Sequence, residues 1–312
     1  MKALIALALA AIPLVAADAY LFTSFRRNGE TGVFFALSRD GRQWTPLNNN
    51  QPWIKPEHAG MLMRDPFLTQ GPDGTWHLLW TWGWTRREMG GGLKIGYTSS
   101  RDLVTWTPQR QIPVFEDEPT ARNAWAPEAA WDAKRKEWII FWSTTIPGRF
   151  PDTEATGDAG YNHRLYAMTT RDWKTFSPPR LWFDPGFNCI DATLVHDGGR
   201  WIMVFKDERK NPLQKRLRLA FADSPAGPWT GITEPFTKDW VEGPSALRIN
   251  GEWWIYFDHY TNPRHYGAIR TNDWKTFEDA TAEVKFPADH RHGTVVRIPE
   301  KLARRVESAS RP

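Results

Sequence analysis

A pattern that recurs five times along the 312 residues constrains the fold of this chain more than any other feature. Each copy places a Ser, Thr or Asp beside a turn and leads to a closing aromatic residue. These aromatics lie 48 to 70 residues apart: Trp44, Trp106, Phe176, Trp229 and Phe277. Five copies at this spacing predict five similar structural units.

Each unit also contains an earlier aromatic segment that is typical of a β-strand. The five segments are Tyr20–Phe25, Trp76–Trp84, Trp138–Ser143, Trp201–Phe205 and Trp253–Phe257. No stretch of comparable length shows helical periodicity. Units of about 50 residues with several strands each predict an all-β fold, a five-bladed β-propeller.

The two ends of the chain complement each other in this fold. The first unit lacks an inner strand, and the segment His292–Ile298 has no unit of its own. Because an open ring would expose strand edges, we predict that this C-terminal strand completes the first blade and closes the ring. The charged tail after Pro299 is expected to be frayed.

Residues 1–17 are predicted to be a signal peptide, and residues 18–312 a single five-bladed propeller domain. Lys2 precedes an apolar run, and Val15-Ala16-Ala17 supplies small residues for cleavage. An uncleaved N-terminal anchor is the alternative. The single cysteine, Cys189, excludes an intramolecular disulfide. These features favour a secreted or periplasmic bacterial protein.

Charge and aromatic content narrow the range of partners. The net charge is +4, and acidic and basic residues are interspersed, which argues against nucleic-acid binding. The 19 Trp residues suit both sheet packing and sugar binding. Composition alone does not separate these two roles. We expect no nucleic-acid partner, and no membrane contact once the signal is removed. The sequence leaves the oligomeric state open.

Carboxylates stand at the starts of four predicted inner strands, where a propeller's blades converge on one face. They are Asp65, Glu128, Asp191 and Glu242. We interpret these as equivalent positions on successive blades. Neighbouring carboxylates raise one another's pKa, which is unfavourable in a purely structural protein. Glycoside hydrolysis requires acids with different pKa values, because one acid must stay protonated and another ionised. Asp65, Asp191 and Glu242 are the predicted catalytic residues.

A second recurring set of aspartates is interpreted as structural. Asp40, Asp102, Asp172 and Asp273 lie beside the turn before a closing aromatic, where an aspartate typically accepts backbone hydrogen bonds.

His292 begins the fifth inner strand, in Arg291-His292-Gly293-Thr294. It has two interpretations: a hydrogen-bonded core residue, or a channel residue near which calcium or a similar ion is bound through water. No cofactor is required for the predicted chemistry.

The ordered motifs resemble glycoside hydrolase family 43, whose members are five-bladed propellers that invert the anomeric centre. The motifs are Arg64-Asp65-Pro66, Trp125-Ala126-Pro127-Glu128, Ile190-Asp191, Glu242-Gly243-Pro244 and Arg291-His292-Gly293. The resemblance covers about Ala19 to Ile298. Segments around Arg122, Ser143 and Tyr161 are similar to a subgroup with arabinofuranosidase and galactose-directed activities.

This resemblance implies roles for the site residues. Asp65 would be the general base, Glu242 the general acid, and Asp191 would orient that acid and tune its pKa. The expected partner is an oligo- or polysaccharide substrate, bound by Arg64, Trp125, Glu128 and Arg291. His292 resembles the family's central histidine near the ion. Glu128 departs from the family, in which many members have Asp after Trp-Ala-Pro.

The predicted function is exo-acting hydrolysis of a terminal sugar, α-L-arabinofuranose, from plant-type polysaccharide. The insertion 147–163 is expected to wall one side of the pocket. Alternatives on the same scaffold are β-D-xylosidase, β-galactosidase and β-galactofuranosidase. A phosphorylase and a non-catalytic carbohydrate-binding propeller are further alternatives. A retaining fructosidase is disfavoured because the chain has no Asn-Asp-Pro near its start.

Overall fold

The computed structural model describes residues 18–310, and the predicted signal peptide lies outside them. Five antiparallel sheets form the five blades of a β-propeller, as predicted. Blade 1 begins with β1 (Asp18–Arg26), β2 (Phe34–Ser38) and β3 (Thr45–Pro46). Blade 2 contains β4 (Arg64–Gln70), β5 (Trp76–Thr81), β6 (Leu93–Ser100) and β7 (Arg110–Val114).

The next three blades repeat this order. Blade 3 contains β8 (Trp125–Asp132), β9 (Glu137–Thr145), β10 (His163–Thr170) and β11 (Arg180–Phe183). Blade 4 contains β12 (Cys189–Asp197), β13 (Arg200–Asp207) and β14 (Arg216–Ala222). Blade 5 contains β15 (Val241–Ile249), β16 (Glu252–His259), β17 (His265–Thr271) and β18 (Glu278–Asp279).

The ring is closed by two short strands, β19 (His290–Arg291) and β20 (Val295–Pro299). Both pair antiparallel with β1, so that Arg291 lies opposite Phe25 and Val296 opposite Leu21. The C-terminal segment therefore completes blade 1, which confirms the predicted closure and leaves no open inner edge there.

The expectation that the tail after Pro299 is frayed is wrong. Residues Glu300–Ala309 form helix α1, which buries Ala303 and Val306 against the propeller. On its exposed side, Arg39 pairs with Glu300 and Glu307. Neither α1 nor any other helix among residues 18–310 is long and apolar enough to cross a membrane.

Large aromatic side chains fill the space within and between the blades. Trp76, Trp80, Trp142 and Trp254 are fully buried. Much of the tryptophan content is therefore structural, as expected for sheets that pack face to face.

The recurring turn aspartates have the predicted structural role. One carboxylate oxygen of each accepts hydrogen bonds from the backbone N–H groups two and three residues further on. The four residues are Asp40, Asp102, Asp172 and Asp273.

The insertion between β9 and β10 has its own internal structure. It contains a short 3₁₀ helix, Pro151–Thr156. The guanidinium of Arg164, buried beneath it, donates hydrogen bonds to Asn162 Oδ1 (3.1 Å) and Thr153 Oγ1 (3.0 Å) and lies over the Phe150 ring. These contacts hold the insertion against blade 3.

Candidate active site

A cavity of about 260 Å³ opens at the end of the ring where the inner strands begin. Its walls include the three predicted catalytic carboxylates, together with two arginines and a histidine: Asp65, Asp191, Glu242, Arg64, Arg291 and His292. The structure thus brings together residues that lie up to 228 positions apart in the chain, on four different blades.

A β-bulge at the start of each inner strand aims these side chains. In β4, β8, β12 and β15 two residues of the inner strand lie opposite one residue of the next strand. The first residue of each bulge has a left-handed backbone: Asp65, Ala126, Asp191 and Gly243, with φ between 47° and 58°. Such bulges are frequent beside active sites because they redirect side chains.

The bulges correct one interpretation made from the sequence. The four acids were expected at equivalent positions, but only Asp65 and Asp191 are equivalent, as first residues of their bulges. Glu242 comes one residue before its bulge, and Glu128 directly follows the one in β8. Acids from different bulge positions therefore point in different directions.

Gly243 occupies the bulge position at which the other blades have Asp or Ala. A Cβ atom there would lie 2.4 Å from Cγ of His292. With φ of 58°, this position combines close approach and left-handed backbone, which glycine meets without strain. The Glu-Gly-Pro motif therefore lets the His292 ring pack beside Glu242.

Asp65 is held by the neighbouring strand and lies beside His292. The hydroxyl of Thr81 donates a 2.7 Å hydrogen bond to Asp65 Oδ2 and accepts one from the N–H of Ala126. The other oxygen, Oδ1, lies 3.5 Å from Nδ1 of His292. Its carboxylate is thus fixed in orientation at the cavity wall.

Asp191 lies on the other side of the same histidine ring. Its Oδ2 lies 3.7 Å from His292 Nδ1 and accepts a hydrogen bond from the N–H of Gly243. Burial raises the pKa of Asp191 to about 6, and the negative charge of Glu242 adds to this, although His292 acts in the opposite direction.

Glu242 lies between two cations. Its Oε2 is 3.1 Å from Nζ of Lys206, and its Oε1 accepts a 3.2 Å hydrogen bond from Arg291. Burial is the largest single influence and raises the pKa. Lys206, Arg291 and His292 together outweigh it and hold the pKa of Glu242 at about 2. In the free protein this carboxylate is ionised.

Arg64 and two tryptophans form one wall of the cavity. The Arg64 guanidinium lies 4.0 Å from the centroid of the Trp84 ring and 4.5 Å from that of Phe25, and it donates a hydrogen bond to Asn28. Trp125 packs edge-on against Trp84 and donates its indole N–H to the Trp84 carbonyl. The wall is thus rigid and largely aromatic, a surface on which a sugar ring can pack.

Two of the predicted substrate contacts differ in placement. Arg291 lines the cavity and contacts Glu242 and Asp258. Glu128 is buried and does not line the cavity; burial raises its pKa well above the usual range, while a hydrogen bond with Thr193 lowers it. Its position after the bulge turns the side chain between the blades.

The residues at the ring centre do not form a direct metal-binding set. Residues 18–310 contain no group of three or more His, Cys, Asp or Glu that could hold a metal ion. Nδ1 of His292 faces Asp65 and Asp191 instead. A cation bound through water near His292 stays a prediction.

Several residues of the site were missed in the sequence. Lys206 and Asp258 lie near the ends of β13 and β16, the second strands of blades 4 and 5, and Glu208 and Tyr260 follow these strands. A second strand runs antiparallel to the inner strand, so its last residues return to the cavity. Polar residues at these ends were the available signal.

Comparison with known proteins agrees with this architecture. Residues 16–302 match the model of a family related to glycoside hydrolase family 43, described as "Probable glycosyl hydrolase domain". An α-L-arabinofuranosidase of Bifidobacterium longum subsp. longum is 28% identical over 180 residues. That alignment covers 52% of this chain but only 16% of the relative.

Solved structures share the fold at low sequence identity. An α-L-arabinofuranosidase from Lactobacillus brevis superposes with a TM-score of 0.51 at 18% identity, over 70% of this chain and 72% of the other. An exo-β-1,3-galactanase from Phanerochaete chrysosporium gives 0.52 at 12% identity, over 69% and 48%. The family match extends over nearly the whole propeller and includes every inner strand, so the chain belongs to the glycoside hydrolases related to family 43.

Proposed function

We propose that this chain is an inverting, exo-acting glycoside hydrolase that releases a terminal α-L-arabinofuranose from plant-type polysaccharide. One observation carries the proposal: three carboxylates in unlike environments, Asp65, Asp191 and Glu242, face one cavity. Its volume of about 260 Å³ is below the roughly 300–1,000 Å³ of pockets that hold drug-sized ligands, which suits a single sugar ring.

In the proposed reaction, the carboxylate of Asp65 takes a proton from water as the water oxygen attacks C1 of the sugar. The bond between C1 and the leaving oxygen breaks on the opposite face, and Glu242 donates its proton to that oxygen. Asp65 ends protonated and Glu242 ionised, and exchange with solvent restores both. The Thr81 hydrogen bond supports this role because it orients the base.

The ionised state of Glu242 in the free protein bears on its role as the acid. For Glu242 to donate a proton, substrate binding has to weaken one of its contacts with Lys206 or Arg291. The raised pKa of Asp191, about 6, favours a second assignment in which Asp191 is the proton donor and Glu242 stays ionised. The two assignments predict different results. If Glu242 is the donor, the activity lost in Glu242→Gln depends on the leaving group; if Asp191 is the donor, the activity lost in Asp191→Asn does.

Support for exo action comes from the insertion 147–163. Tyr161 packs against Trp125 with ring centroids 4.7 Å apart, and the Arg122 guanidinium lies over the Tyr161 ring. Because Trp125 lines the cavity, the insertion extends its wall on one side. Support for arabinofuranose comes from the relative named as an α-L-arabinofuranosidase. A secreted or periplasmic location is part of the proposal.

The test is a panel of 4-nitrophenyl glycosides: α-L-arabinofuranoside, β-D-xyloside, β-D-galactoside and β-D-galactofuranoside. Wild type, Asp65→Asn and the control Asp172→Asn are compared, since Asp172 is a turn aspartate remote from the cavity. We expect turnover of the arabinofuranoside that Asp65→Asn abolishes and Asp172→Asn retains. Turnover of another glycoside would assign that sugar instead.

Further outcomes would contradict parts of the proposal. Turnover that requires inorganic phosphate would indicate a phosphorylase. Binding of arabino-oligosaccharides without turnover, unchanged by Glu242→Gln, would indicate a carbohydrate-binding protein. Cleavage of only internal bonds in linear arabinan would contradict exo action.

A further inference from the structure

Charged side chains of alternating sign run through the site from blade 4 to the closing strand. Their order is Lys215, Glu208, Lys206, Glu242, Arg291 and Asp258. The Glu208–Lys206 pair lies at 2.8 Å, Lys206–Glu242 at 3.1 Å, Glu242–Arg291 at 3.2 Å and Arg291–Asp258 at 3.6 Å. Lys215 is also paired with Glu208. We call this set the charge array.

Lys206 is the central cation of the charge array. Its side chain is only 1% exposed, and its Nζ contacts Glu208, Glu242 and the face of the Tyr260 ring. A buried ammonium group is costly unless carboxylates compensate it. The two carboxylates raise the pKa of Lys206 well above its usual value even though burial, the largest influence, lowers it, so the group stays charged.

Glu208 has no part in the reaction as proposed, although it lines the cavity. Its two carboxylate oxygens contact different lysines, Oε1 Lys215 and Oε2 Lys206. It therefore takes up part of the Lys206 charge that would otherwise act on Glu242 alone. Lys215 in turn limits how far Glu208 can do this.

We propose that Glu208 is a positioning residue for Glu242, acting through Lys206: it shares the ammonium group, so that Glu242 keeps its orientation and can still take up a proton. This inference rests on the proposed function, in which Glu242 is the acid. Glu208 itself touches no reacting atom.

Other charged groups also face Glu242, and they set the background for any change. Arg291 and His292 approach from the closing strand, Arg64 from β4, Asp191 from β12, Asp258 from β16 and Tyr266 from β17, and Tyr260 follows β16. Among the described residues, Glu208 forms ion pairs with Lys206 and Lys215. Tyr260, which also interacts with Glu208, packs on the Lys206 ammonium group, so the main route from Glu208 to Glu242 is through Lys206.

The experiment measures the pH dependence of kcat for Glu208→Gln with two substrates, a 4-nitrophenyl glycoside and the methyl glycoside of the same sugar. Without the Glu208 carboxylate, the Lys206 charge acts fully on Glu242 and lowers its pKa. The alkaline limb of the pH–kcat profile for the methyl glycoside should therefore move to lower pH, and kcat near neutral pH should fall at least tenfold. The 4-nitrophenyl substrate needs little acid assistance and should change less than threefold. Glu137→Gln is the control, because Glu137 has similar exposure and pairs with Arg171.

Lys215→Met tests the effect of Glu208 on Lys206 in the opposite direction. Without Lys215, Glu208 would pair with Lys206 alone and offset more of its charge. The pKa of Glu242 should then rise, and the alkaline limb of the pH–kcat profile should move to higher pH. Adding Glu208→Gln to Lys215→Met should remove that upward movement. An effect of Lys215→Met that persists without Glu208, or an unchanged alkaline limb in Glu208→Gln, would overturn the inference.

A measurement without substrate keeps the inference testable if turnover is slow. Protein labelled with ¹³C at glutamate carboxyls gives the titration of Glu242, assigned by loss of its signal in Glu242→Gln. The Glu242 pKa should be higher in Lys215→Met than in wild type, but not in the Lys215→Met, Glu208→Gln double variant. Wild-type turnover with no leaving-group dependence in Glu242→Gln would contradict the proposed function instead.

Discussion

Aspartates recur at both ends of the blades, in two different settings. At one end, the turn aspartates accept hydrogen bonds from their own backbone, as Asp40 does from the N–H groups of Arg42 and Gln43. Burial raises the pKa of Asp40, but these bonds and one from Ser38 outweigh it and lower the pKa. Each turn aspartate accepts these hydrogen bonds within its own blade, and Asp102 also pairs with Arg305 of α1.

At the other end, the site carboxylates are buried together on different blades. Asp65 and Asp191 contact one histidine ring, and Glu242 shares its cations with Glu208 and Asp258. Burial raises the pKa of Asp258 to about 7 and that of Asp191 to about 6. A carboxylate whose partners lie on other blades can have its pKa shifted for chemistry, but its burial costs stability. A carboxylate whose partners are the backbone N–H groups of its own turn contributes stability only.

The largest expected effect is that of Asp65→Asn on turnover. Loss of a general base typically costs about 10²–10⁴-fold, and here it should reduce kcat/KM by about 10³-fold with every leaving group. Asparagine tolerates the left-handed backbone at this bulge, so the fold should survive. Activity within tenfold of wild type would remove Asp65 from the role of base. Circular dichroism checks that the variant is folded.

Glu242→Gln should depend on the leaving group. With a methyl glycoside we expect a loss of about 10²-fold or more, and with a 4-nitrophenyl glycoside a much smaller one, because an activated leaving group needs little protonation. If Asp191→Asn shows this dependence and Glu242→Gln does not, Asp191 is the proton donor. Steady-state kinetics on both substrates decides between them.

Asp191→Asn should raise thermal stability while it lowers activity. A carboxyl whose folded pKa is raised contributes stability below its ordinary pKa, and this is lost as the pH rises through about 6. The variant should therefore melt a few degrees above wild type at pH 8, and the difference should shrink near pH 4. Calorimetry at both values measures it. A lower melting temperature at pH 8 would contradict the view that this acid costs stability.

Asp40→Ala should show the smallest effect. It should lower thermal stability, whereas Asp191→Asn should raise it, and turnover should not change. Removing the turn hydrogen bonds should cost about 1 kcal/mol at neutral pH. Because the folded pKa of Asp40 is lowered, its contribution is present above the ordinary aspartate pKa and is lost as the pH falls through the folded value. Thermal unfolding across this range, beside unchanged kcat/KM, would separate the two sets of aspartates.

The fold was predictable because it depends on local, repeated patterns. The five closing aromatics, the aromatic strands and the unpaired C-terminal strand each identify a blade or its completion, and the ring closure follows from the cost of an open sheet edge. Asp65, Asp191 and Glu242 were identifiable because each stands at the start of an inner strand. The family resemblance was confirmed by the match over residues 16–302.

The tertiary structure decided where each side chain points and which charges it meets. The bulges separate Glu128 from the cavity and place Glu242 one position away from the site of Asp65, which a count of residues along a strand does not reveal. The pairing of Lys206 with Glu242 joins two blades and depends on burial and distance. Local sequence thus determined the five blades and the acids that open them. Only packing between blades set the charge of each acid, because electrostatic interactions act through space rather than along the chain.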